Sequence, residues 1–95
     1  MKVNAIIWKE RFVEKISAKH GVSVTEAEEL FRYSPIVRRM TKGRVRGEDV
    51  YSALAQITSG RYLIVFFIRK KHGMILPISA RDMDVSERRY YAKHR

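Results

Sequence analysis

Three side chains are of the types that move protons or grip an anion from a rigid element: Lys19 and His20, just before Gly21, and Arg81, at the end of a strand-patterned segment. Histidine and lysine carry protons, and a guanidinium fork matches two oxygens of a phosphate as well as those of a carboxylate. The chemistry such a set serves without a metal is RNA cleavage by attack of a 2′-hydroxyl on the adjacent phosphate. That transition state gathers negative charge on phosphoryl oxygens, which cations stabilise, while one proton leaves and another is delivered. Plainer roles exist for both sites. His20 suits a helix C-terminus, where positive charge is favoured, and Arg81 has Asp82, Asp84 and Glu48 as available ion-pair partners.

Other chemistries lack their signatures. The sequence has no glycine-rich phosphate loop, no elbow-type serine and no His/Asp/Glu cluster at metal-ligand spacing, and His20, His72 and His94 lie far apart. No cofactor and no metal are therefore expected. With no cysteine there is no disulfide framework and no thiolate site, which fits a cytoplasmic protein. No signal peptide is apparent at Met1. The longest apolar run, residues 62–68, is far below the roughly 18–20 residues that span a bilayer, so no membrane role is expected.

Twenty Lys and Arg against ten Asp and Glu leave a net charge of +10 on 95 residues, so the natural partners are polyanions; charge alone does not choose among DNA, RNA, an acidic membrane and an acidic protein. The densest cationic stretch is 32–46, with Arg32, Arg38, Arg39, Lys42, Arg44 and Arg46 and no acid. It reads as a connection that contacts RNA or an acidic protein, and Arg44 and Arg46 are its candidate RNA contacts. Tyr62, Tyr90 and Tyr91 interleave with basic residues, as base-stacking surfaces do, although tyrosines so placed also serve as half-buried core. Arg61, Tyr62, Arg88, Arg89 and Tyr91 complete the candidate RNA-binding set.

The elements that must position these groups follow from local signals. The chain length suits one domain, 1–95, that buries roughly 60–65% of its unfolded surface. Residues 3–8 read as a short strand or as an early helix start. Trp8, Phe12, Val13 and Ile16 give residues 9–20 an amphipathic helical pattern that ends at Gly21. Ser23 and Glu26 form a capping-box pair for a second helix, which Ser34-Pro35 ends. Residues 49–58, 62–68 and 74–80 read as three consecutive antiparallel strands. The second is central, and Pro77 makes the third an edge or a bulged strand. Asp84 and Glu87 are a second cap-like pair before a short C-terminal helix. The fold class is α+β, with two N-terminal helices and a three- to four-stranded antiparallel sheet.

Trp8, the Lys19-His20-Gly21-Val22-Ser23 string, Glu26-Ala27, Gly47-Glu48-Asp49, Gly60-Arg61-Tyr62-Leu63, and Ile78-Ser79-Ala80-Arg81 with Glu87-Arg88-Arg89 together resemble the BrnT family of toxins nearly end to end. The resemblance implies a RelE-like ribonuclease fold and metal-independent RNA cleavage that stalls translation. It further implies a BrnA-like antitoxin of ribbon-helix-helix type, with operator DNA bound only through the toxin–antitoxin complex. On the same likeness Lys19, His20 and Arg81 are the expected active-site residues, and Arg88 and Arg89 are secondary candidates. The family commonly carries an aspartate directly after the tryptophan, a lysine four residues after it and an asparagine three residues before the KHG string; here those positions are Lys9, Phe12 and Ile16.

Overall fold

A computed structural model describes residues 3–41 and 48–95. Helix α1 (Glu10–His20) ends at Gly21, whose φ of 59° lies in the left-handed region that a side chain disfavours. Helix α2 (Val24–Arg32) opens on a complete capping box. The Glu26 N–H donates to Ser23 Oγ at 3.1 Å, and the Ser23 N–H donates to Glu26 Oε1 at 3.0 Å. Helix α3 (Val85–His94) repeats the device with Asp84 and Glu87, both bonds at 2.8 Å.

Between and around these helices lie five strands: β1 (Ala5–Ile6), β2 (Ile36–Thr41), β3 (Val50–Gln56), β4 (Tyr62–Arg69) and β5 (Met74–Asp82). They form one sheet in the order β1-β5-β4-β3-β2. The sheet is mixed, because β1 runs parallel to β5 while the other pairs are antiparallel. Three expectations change here. The sheet is mixed and not wholly antiparallel, it has five strands, and β2 occupies part of the cationic stretch read as a connection. Charge is tolerated in β2 because it is an edge strand: Arg38 lies against the Tyr90 ring on one face, and Arg39, on the other, is exposed and reaches Asp49. Strand β4 is central as its unbroken apolar run indicates. Pro77 is accommodated by a bulge in an interior strand. Phe66 and Phe67 of β4 pair with Ser79 and Pro77, which leaves Ile78 as the extra residue.

Alternation along the strands divides the core between the two faces. Leu63, Val65 and Phe67 of β4 join Ile16 of α1 and Ala27 and Leu30 of α2 on one face. Ile64 lies on the other with Leu54 and Met83, and Tyr62, Phe66, Tyr90 and Tyr91 pack against them. Helix α3 thus covers the face opposite α1 and α2. Ile16 is 2% exposed, so the family's usual asparagine gives way here to a core side chain. Phe67 is fully buried between the edge of Phe31, at 5.5 Å between ring centroids, and the stacked ring of Tyr51, at 5.7 Å.

Candidate functional site

Each glutamate that caps a helix also receives an arginine, Arg61 from just before β4 or Arg81 from β5. On the α1/α2 face, Arg61 donates to Glu26 at 3.1 and 3.2 Å and to Asp82 at 2.6 and 3.2 Å. It also donates at 2.9 Å to the carbonyl oxygens of His20 and of Gly21. Those bonds tie the C-terminus of α1, the start of α2 and the ends of β4 and β5 to one guanidinium. On the α3 face, Arg81 grips Glu87 with two parallel bonds, Nη1 to Oε1 at 2.7 Å and Nη2 to Oε2 at 2.8 Å. The partner of Arg81 is therefore Glu87, and not Asp82, Asp84 or Glu48 as the sequence suggested. An arginine can make the same two-bond fork on a phosphate.

The three catalytic candidates are not gathered at one point. Lys19 and His20 end α1 on one face of the sheet, and Arg81 projects from the other, where its neighbours are Phe66 and Glu87. Arg61, expected to contact RNA, is occupied by protein acceptors. Four of the expected RNA-binding residues do come together. Tyr62, Arg88, Arg89 and Tyr91, with Arg95, line a cavity of about 350 Å³, and no acid lines it among the described residues. The Arg88 guanidinium lies 4.1 Å from the centre of the Tyr62 ring, and that of Arg95 lies 5.7 Å from the centre of the Tyr91 ring. Tyr91 meets Tyr62 edge to face at 6.1 Å, and its hydroxyl accepts from the Gln56 N–H at 3.3 Å. Arg44 and Arg46 lie outside the described residues.

The α3 face holds two groups that the sequence did not single out for a site. Arg38 reaches from β2 to stack 4.2 Å from the centre of the Tyr90 ring, and its Nε is buried without a hydrogen-bond partner. Ser52, opposite Arg38 in the β2–β3 register, is fully buried, and its Oγ has no partner either. The available signal was weak: a pair of adjacent arginines in a stretch without acids, and one polar residue in an apolar strand.

The charges on both faces are strongly paired. Burial pushes the Glu87 carboxyl up, but hydrogen bonds from Arg81 and the Asp84 N–H, and the charges of Arg81 and Arg38, hold it below the ordinary carboxylate value. The Glu26 carboxyl is held low chiefly by its backbone hydrogen bond at Ser23, with help from Arg61. Arg61 does the same to Asp82, with a smaller contribution from the charge of His20. Both arginines are raised, Arg61 mainly by hydrogen bonding to Asp82 and Arg81 mainly by hydrogen bonding to Glu87.

The sequence profile of a family described as the ribonuclease toxin BrnT of type II toxin–antitoxin systems matches residues 8–87. The chain belongs to the BrnT family. A search of curated proteins finds no match to the chain. The matched span begins at Trp8 and ends at Glu87, so it includes the KHGVS string, the Arg61 assembly and both members of the Arg81–Glu87 pair. BrnT membership implies an RNA substrate and an antitoxin partner. Among the described residues no helix is long and apolar enough to cross a membrane.

Proposed function

We propose that this BrnT-family chain is an endoribonuclease that cleaves RNA without a metal and thereby stalls translation, and that its partner is a BrnA-like ribbon-helix-helix antitoxin through which the complex reaches operator DNA. The observation that carries the reading is on the α3 face: a cavity where arginines alternate with tyrosines, on the helix whose Glu87 fills the Arg81 fork. Arginine supplies the charge stabilisation that a phosphoryl transition state requires, and tyrosine rings supply platforms for unstacked bases. In the reaction the 2′-oxygen bonds to phosphorus as the bond to the 5′-oxygen breaks. The 2′-hydroxyl proton is removed and the 5′-oxygen is protonated. The family resemblance assigns Arg81 to the phosphoryl oxygens and Lys19 or His20 to proton transfer; because the sheet lies between them, both assignments cannot act on one phosphate, and the variants below decide which face cleaves.

The test is incubation of the purified protein with RNA in EDTA. Cleavage lost in His20→Ala and kept in Arg81→Ala confines the active site to the face where α1 ends. Cleavage lost in Arg81→Ala and kept in His20→Ala confines the active site to the α3 face. One observation favours a second reading, a non-catalytic nucleic-acid-binding module: the sheet separates Arg81 from Lys19 and His20. RNA that is bound and recovered intact would support that reading. Expression in a bacterium, with growth arrest relieved by a neighbouring gene, tests the toxin and antitoxin roles together.

A further inference from the structure

Across the α3 face, Arg38, Ser52, Phe66 and Ser79 form one cross-strand row, and Arg81 stands one step further along β5 on the same side. Two guanidinium groups therefore overlook a floor containing a serine hydroxyl. The single buried side chain of α3, Glu87, is inserted there, 8% exposed. The carboxylate satisfies the Arg81 fork but leaves Arg38 Nε and Ser52 Oγ shut off from solvent without partners. Buried polar atoms without partners are uncommon and costly.

The other capping glutamate provides the contrast. The guanidinium that Glu26 shares with Asp82 and two backbone carbonyls has every nitrogen bonded, as a structural joint should. On the Arg81 side the fork is filled by Glu87 and the Asp82 carbonyl, and the unserved groups are Arg38 Nε and Ser52 Oγ. A phosphodiester sets its two charged oxygens on a tetrahedral centre, so one can meet Arg81 while the other turns toward Arg38 and Ser52, which a planar carboxylate held in the fork does not do.

We infer that Arg38, Ser52 and Arg81 form a cradle for one phosphodiester group of RNA, and that the Glu87 carboxylate occupies it as a built-in surrogate. RNA enters when the Glu87 carboxylate swings out of the Arg81 fork, while Tyr90 and Tyr91 keep α3 packed over Leu54, Ile64 and Met83. The inference rests on the proposed function for the identity of the polymer, but the cradle itself is testable with inorganic phosphate.

The full-length protein, 15N-labelled, is titrated with inorganic phosphate at low ionic strength while the arginine Nε–H resonances are followed by NMR. Glu87→Gln removes the charge but keeps an amide able to complete the Asp84 capping box, and Glu87→Ala empties the cradle. Both variants are expected to bind phosphate at least about tenfold more tightly than the unaltered chain, which is the size of losing a charge-assisted pair. The resonances of Arg38 and Arg81 should move together, and Arg38→Ala in the Glu87→Gln background should return affinity to that of the unaltered chain. Dispersed amide spectra with no gain in phosphate affinity in either variant would reduce Glu87 to a docking residue and overturn the inference, as would shifts at Arg81 alone. Phosphate binding as expected without RNA cleavage would preserve the cradle and remove the catalytic reading. RNA cleavage without the gain in phosphate binding would do the reverse.

Discussion

Arg81 and Asp82 are neighbours in β5 and end on opposite faces of the sheet: Arg81 on Glu87 of α3, Asp82 on Arg61 and the α1/α2 junction. One peptide unit thus links two ion-pair assemblies that share no side chain. The pairing partners, Glu26 and Glu87, each also cap a helix, so each helix start and each arginine is fixed by the same carboxylate. Disturbing one assembly should leave the other nearly intact.

Arg61→Ala is expected to lower stability by about 2–3 kcal/mol, because it strands Glu26, Asp82 and two helix-terminal carbonyls. For a domain of this size that corresponds to a fall in Tm of roughly 10–20 °C. Arg61→Lys should recover only part of it, since an ammonium cannot fork between these acceptors. Thermal denaturation followed by circular dichroism checks both, and wild-type stability in Arg61→Ala would refute the structural role.

Stability should fall in acid. Glu26, Asp82 and Glu87 are all held below their ordinary values in the folded chain. Their contribution is therefore complete above the ordinary carboxylate range, about pH 4–5, and is lost as pH falls through the lowered folded-state values. Urea midpoints measured from pH 7 to pH 3 should be flat at first and then decline. Glu87→Gln should flatten the decline, and an unchanged acid limb in that variant would contradict the pairing with Arg81.

RNA affinity should depend on salt through the cations around the 350 Å³ cavity. Replacing Arg88, Arg89 or Arg95 singly with Gln is expected to reduce the slope of log affinity against log salt by about 0.7–1 per residue. Tm should change little, because all three are exposed. Fluorescence anisotropy with a labelled single-stranded RNA at several salt concentrations measures it; slopes equal to wild type would place the RNA elsewhere.

Phe67→Ala should cost about 3–5 kcal/mol, since the ring is fully buried against Phe31 and Tyr51 and its loss leaves a cavity that the sheet cannot close. Chemical denaturation gives the value directly. A cost under 1 kcal/mol would mean that this core repacks freely, contrary to its density.

Much of the fold was legible because its signals are local. Gly21 ends α1, Ser23 with Glu26 and Asp84 with Glu87 open α2 and α3, and the apolar run of 62–68 is the central strand. The KHGVS and ISAR segments carried the family, and Tyr62, Arg88, Arg89 and Tyr91 did meet at one cavity. Strand β2 was hidden because Arg38 and Arg39 obscure its apolar pattern and its partner lies beyond residue 47. Strand β1 pairs with β5 across most of the chain, which no local pattern encodes. Types and spacing could nominate Lys19, His20 and Arg81 as cations suited to phosphate. Whether they meet depends on which way each points, and in a strand a shift of one residue reverses the face. The tertiary structure alone decided that Arg81 shares its face with Arg38, Ser52 and Glu87, while Asp82 beside it turns to Arg61.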